Sequence, residues 1–145
     1  LPAGWAVRAA KVSTTTDRSA QCADPAPPGL LAGIELFNAR EFYQCHEALE
    51  EIWLAEAGPI RTLYQGILQV GVAFYHLGRG NFRGATSLLE TGITYLRPFA
   101  PSCMGIDVQR LVDDSIHCYA ELLRLGRDRM AEFDRDRLPT IMRAA

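Results

Sequence analysis

From residue 30 onward, apolar residues recur every three or four positions in successive blocks closed by glycine or proline, and that period predicts helices. The block "LLAGIELFN" (30–38) reads as a short helix and "EFYQCHEALEEIWLAEA" (41–57) as a longer one, ended by Gly58-Pro59. Pro59 suits the first turn of the next helix, "IRTLYQGILQVGVAFYHLG" (60–78). In it Leu63, Ile67, Val70, Phe74 and Leu77 stand at helical spacing and apolar residues fill its other sides too, so it is the central helix. After the turn "GRGN", "FRGATSLLETGITYL" (82–96) makes another helix, stopped by Pro98 and Pro101. Asp107 can cap a last one, "VQRLVDDSIHCYAELLRL" (108–125), with Gly126 as its stop. No strand-like alternation persists, so the fold class is all-α, an antiparallel helical bundle of about five helices.

A faint internal repeat refines this picture. Gly80, Phe82, Ala85 and Leu89 have the spacing of a tetratricopeptide hairpin, and Phe42, Leu49 and Glu50 recur forty positions later as Phe82, Leu89 and Glu90. The pattern supports tetratricopeptide-like helix pairs, although an array needs at least about three repeats and the chain is too short to supply them.

Composition sets the boundaries. Residues 1–28 carry "STTTDRS" and "DPAPPG", a polar, proline-rich run that buries little and reads as an extended or flexible arm. The helical domain then occupies 29–134 and a tail 135–145. With 145 residues such a domain folds without a metal or a cofactor, and none is expected. Net charge is −2 and the arginines are scattered, which argues against a nucleic-acid partner. No apolar run approaches the roughly 20 residues of a membrane span, so no membrane association is expected. The four cysteines, Cys22, Cys45, Cys103 and Cys118, form no C-x-x-C pair and read as free thiols, which points to the cytoplasm.

Candidate chemistry centres on "CHEALEEIW" (45–53), one letter away from the zinc signature His-Glu-x-x-His. His46 and Glu47 are present, but Glu50 stands where the second histidine belongs. At 100° per residue, Phe42, His46, Leu49 and Trp53 form one inward stripe flanked by Cys45 and Ile52. Glu50 lies at its edge, while Glu47 and Glu51 turn to solvent, so the supposed general base faces away from the core. On the central helix Gln65, Gln69 and His76 make a second polar line, and leaving any of them buried without a partner costs about 1–3 kcal/mol. If the helices are antiparallel neighbours, His46, Glu50, Gln65, Gln69 and His76 can satisfy one another. Three readings fit: a structural hydrogen-bond network, a small-ligand or catalytic pocket, and a metal site of two histidines and a carboxylate. Because the zinc signature is incomplete and glutamines are weak ligands, no metal is expected.

Other signals are weaker. "GRGNFRG" is one residue too long for a dinucleotide fingerprint and follows a helix rather than a strand, which rejects nucleotide binding. Arg79 and Arg83 flank that turn and could hold an anion, and Asn81 lies between them. Gly66, Gly71 and Gly92 inside helices imply close helix packing.

The segments "FNAREFYQCHEALEEIW" and "YQGILQVGVAFYHLGRGNFRGATSLLETGITYLRPF" resemble domain-of-unknown-function family 309. Its pattern runs F-N, an aromatic, H-E-x-x-E-x-x-W, Q-G-x-x-Q and H-x-x-x-G-N-x-x-G-A. Phe37, Asn38, Phe42, His46, Glu47, Glu50, Trp53, Gln65, Gly66, Gln69, His76, Gly80, Asn81, Gly84 and Ala85 match it. The resemblance implies a small helical fold without an established activity. Two functions follow for testing. A non-enzymatic module that binds another protein or a second copy of itself as a homodimer needs a closed polar seam. A hydrolase or lyase for a small polar ligand, with or without a metal, would use His46, Glu50 and His76 as catalytic residues and Gln65, Gln69, Trp53, Asn81, Arg79 and Arg83 as binding residues, and it needs an open pocket.

Overall fold

A computed structural model describes residues 18 to 145. Six helices follow in order: α1 (Arg18–Cys22), α2 (Pro28–Asn38), α3 (Phe42–Ala55), α4 (Arg61–Gly78), α5 (Phe82–Leu96) and α6 (Val108–Arg129). α2 to α6 are the five expected from the apolar period, and α1 is additional. Ser102–Cys103 and Ile106–Asp107 add a two-residue antiparallel hairpin, too short to show as alternation in sequence.

α4 is the centre of the bundle. Every residue from Thr62 to Phe74 is buried, because α3 packs on one side and α5 on another. α2 packs on α3, and α6 packs on α5, where the Tyr119 hydroxyl donates to Glu90 at 3.1 Å. Three-residue turns after α2 and α4 reverse the chain, so the helices they join lie side by side. Phe42 and Phe82 each open a helix, and Leu49 and Leu89, on α3 and α5, are both fully buried. The α4–α5 crossing depends on glycine: a Cβ on Gly92 would sit 3.1 Å from the Val70 amide nitrogen and 3.2 Å from the Gly66 carbonyl. Gly71 has no such role, since its nearest neighbours are side chains at ordinary contact distance. Asp107 caps α6 by accepting from the Arg110 amide at 3.0 Å, and the helix breaks at Gly126, whose φ is 73°.

Both ends of the described chain join the domain. Residues 1–17 of the expected arm lie outside the described residues. α1 is fixed to the body, because Gln21 Oε1 accepts from the Ile60 amide at 2.9 Å and Cys22 is disulfide-bonded to Cys103. This corrects the expectation of four free thiols: partners 81 residues apart leave no spacing signal, yet the hairpin brings their Cα atoms to 4.3 Å. The cytoplasmic argument built on those thiols goes with it. At the other end residues 135–145 double back as a strap, with Leu138 and Ile141 buried. Asn38 clamps Ile141 through its amide and its carbonyl at 2.8 and 3.1 Å, and the Arg40 guanidinium donates to the Leu138 and Pro139 carbonyls. No helix among the described residues is long and apolar enough to cross a membrane.

Candidate functional site

The α3 stripe faces α4 as its period requires: Phe42, Cys45, His46, Leu49 and Trp53 are buried, while Tyr43, Glu47 and Glu51 are exposed. Each His46 nitrogen has a partner. Nδ1 lies 2.9 Å from the Tyr43 carbonyl oxygen, and Nε2 lies 3.2 Å from Glu50 Oε2. A carbonyl only accepts, so Nδ1 is the donor of the first contact, and Nε2 faces the carboxylate. His46 is thus oriented at both ends, with no nitrogen left over to take a proton from a substrate.

One turn further, Trp53, Gln65, Leu68, Gln69 and Glu50 line a small cavity of about 10 Å³, room for about one water. Gln69 is held there by the Thr91 hydroxyl, which donates to its Oε1. Trp53 Nε1 and Gln65 Oε1, a donor and an acceptor, have no hydrogen-bond partner among the described residues. The Arg61 guanidinium covers the indole 4.8 Å from its centroid.

His76 belongs to a different set. It is half-buried at the end of α4, and its Nδ1 accepts from Asn81 Nδ2 at 3.2 Å. Asn81 Oδ1 in turn caps α5 through the Gly84 amide at 2.9 Å. A Cβ on Gly84 would fall 2.8 Å from the His76 ring, so glycine there makes the pairing possible. Burial, with the Arg79 charge adding to it, holds the His76 imidazole below the usual histidine range. A row of rings, Tyr43 on His46, Tyr43 on Tyr75 and Tyr75 on His76, separates the two histidines. The trio His46, Glu50 and His76 does not assemble into a ligand set, and among the described residues no three His, Cys, Asp or Glu groups do. Nor is a thiol nucleophile at hand: burial pushes Cys45 up to about 12.

The remaining expected residues divide. Arg79 lies over the Tyr75 ring at 5.6 Å and lines a cleft of about 570 Å³, whereas Arg83 is exposed on α5 and outside that cleft. The cleft also takes Arg40 and Arg135, which sequence reasoning missed. Only the fold-back of the strap joins them, and no local pattern announces it.

Residues 30–88 match the family model described as Domain of unknown function (DUF309). This segment belongs to that family. Over 83 residues the chain is 35% identical to the uncharacterized protein YpuF of Bacillus subtilis (strain 168), covering 55% of this chain and 48% of that one. Over 73 residues it is 25% identical to an uncharacterized protein of Aquifex aeolicus (strain VF5), covering 50% of this chain and 22% of that one. The chain thus spans about half or less of the length of these curated relatives. No solved structure gives a significant match. The DUF309 segment contains the whole His46–Glu50–Trp53–Gln65–Gln69 seam and the His76–Asn81 pair, together with Arg40 and Arg79, but not Arg135.

Proposed function

We propose that this chain is a non-enzymatic helical module that binds another protein, and that its His/Glu/Gln seam builds the module rather than reacting. The observation that carries this reading is the lack of room at the seam: about 10 Å³ beside Glu50, Trp53, Gln65 and Gln69 admits no substrate. Tetratricopeptide-like pairing of the helices would then serve display. On the solvent side of α3, Tyr43 and Leu54 are 44% and 59% exposed. Eleven residues apart, they share one face three turns apart, with Glu47 and Glu51 exposed between them. That face suits a partner segment with two apolar anchors and lysine or arginine between them. A second copy docked across a two-fold axis would bring its own glutamates against these, and like charges oppose that.

The test uses a synthetic amphipathic helical peptide with leucines three turns apart and lysines between. Titration followed by anisotropy is expected to show binding that weakens with salt and is lost in Glu47→Lys combined with Leu54→Ser. Sedimentation of the protein alone is expected to show monomer. A concentration-dependent dimer abolished by Leu54→Ser would replace the heterologous partner with a homodimer, and absence of both would end the interaction reading.

The hydrolase or lyase alternative has one observation in its favour, the orientation of the His46 ring by Tyr43 and Glu50. Reactive polar groups held for chemistry are commonly stabilised when replaced. A gain in unfolding midpoint on His46→Leu would favour that alternative, and a loss supports a structural role.

A further inference from the structure

We propose that the cleft at the C-terminal end of α4 is a binding site for a small organic anion, a carboxylate or phosphate monoester carried on an aromatic or aliphatic body. The volume, about 570 Å³, falls within the range of small-molecule pockets. Its walls separate by chemistry. Arg79 and Arg135 supply positive charge at the rim, and Phe42, Phe74 and Tyr75 supply an apolar floor. Among the described residues neither arginine forms an ion pair, although five pairs form elsewhere. Arg79 is instead placed over the Tyr75 ring, with its donors open to a ligand. Guanidinium forks match carboxylate and phosphate oxygens, and bonds of that kind are about twice as strong as neutral ones.

The third cleft arginine has another task. Arg40 spends its guanidinium on the Leu138 and Pro139 carbonyls, and so fixes the strap that carries Arg135 and Asp136 to the rim. It holds this place with φ at 65°, a left-handed conformation that costs a non-glycine residue energy. Asp136 is the one acid of the cleft, and it suits a ligand that also carries a hydroxyl or amine donor.

Calorimetric titration of the intact chain with phenyl phosphate, 3-phenylpropionate, inorganic phosphate and phenethylamine tests the site. Phenyl phosphate or 3-phenylpropionate is expected to bind, inorganic phosphate at least tenfold more weakly, and phenethylamine not at all. Phenyl phosphate alone binding would assign the phosphate monoester, and 3-phenylpropionate alone the carboxylate. Arg79→Gln and Arg135→Gln are each expected to weaken binding about tenfold, the loss of one charge-assisted hydrogen bond. Both residues are exposed, so the unfolding midpoint should not move. Amide NMR of the wild type should place the largest shifts at Tyr75, Gly78 and Arg79. Failure of both aromatic anions to bind at millimolar concentration, equal binding of inorganic phosphate, or shifts centred elsewhere would overturn the proposal.

Discussion

The seam and the cleft meet at the same helix, and they use polar residues in opposite ways. Along the middle of α4, Gln65 and Gln69 are buried against α3 and α5, and the space beside them has room for about one water. At the end of α4, Arg79 opens onto a cleft of about 570 Å³, and neither it nor Arg135 forms an ion pair among the described residues. The closed region turns His46 and Gln69 inward onto protein partners and leaves only Trp53 Nε1 and Gln65 Oε1 over, beside a space too small for more than about one water. The open region keeps charge and aromatic surface free and draws its rigidity from the strap. The first carries the resemblance to a metalloprotease helix, while the second has the room and the charge that a ligand would need.

The largest effect expected is on the closed side. Trp53 is 6% exposed beneath Arg61, so Trp53→Ala should cost about 3–5 kcal/mol in denaturant unfolding. A midpoint that barely moves would show that the indole does not carry the seam and would erase the distinction between the two regions. Next is the disulfide. Cys103→Ser opens a covalent loop of 81 residues and should cost about 2–4 kcal/mol. Hydrogen exchange sharpens the comparison here. The hairpin holds the strap through Ile106 and Arg143, so the variant should expose the cleft wall at Leu138 before the α3–α4 seam. Simultaneous loss of protection in both would make them one cooperative unit.

A smaller effect is expected at the ion pair. Glu50→Ala removes the carboxylate that lies 3.2 Å from His46 Nε2 in a site where the imidazole is 9% exposed, and about 1–3 kcal/mol should be lost. Unchanged or higher stability would mean that the carboxylate is held against its own preference, as at a reactive site.

These regions also differ in how far a sequence can disclose them. The α3 stripe and the inward position of His46 follow from the 3.6-residue period alone, since a helix face is set by neighbours three and four apart. The Asp107 cap was legible for the same reason. Partner choice was less so: Gln69 bonds Thr91 on α5, and His76 bonds Asn81 beyond the turn, where mutual satisfaction with His46 and Glu50 was expected. Which neighbour a buried amide meets depends on helix crossing, and Gly66 and Gly92 set that by close approach. The cleft was hidden almost entirely, because Arg40 and Arg135 are separated by most of the domain and meet only once the strap folds back. The Cys22–Cys103 bond was hidden by the same kind of distance.

The smallest effect joins the two regions. His76 is half-buried, and burial, with the Arg79 charge adding to it, holds its imidazole below the usual histidine range near 6.5. The folded state therefore prefers the neutral ring, whose Nδ1 accepts from Asn81. Where the unfolded chain binds the proton and the folded chain does not, stability rises with pH. This contribution is complete above the unfolded value and is lost as pH falls through the lower folded one. The wild type should lose more stability than His76→Gln between about pH 7 and 5, read as the difference in urea midpoints. Arg79→Gln should shrink that difference by removing one cause of the shift. An anion seated against Arg79 should act the same way, because it cancels the charge His76 feels, and so phenyl phosphate should raise the His76 titration midpoint followed by NMR. A midpoint indifferent to both the variant and the anion would separate the end of the seam from the cleft.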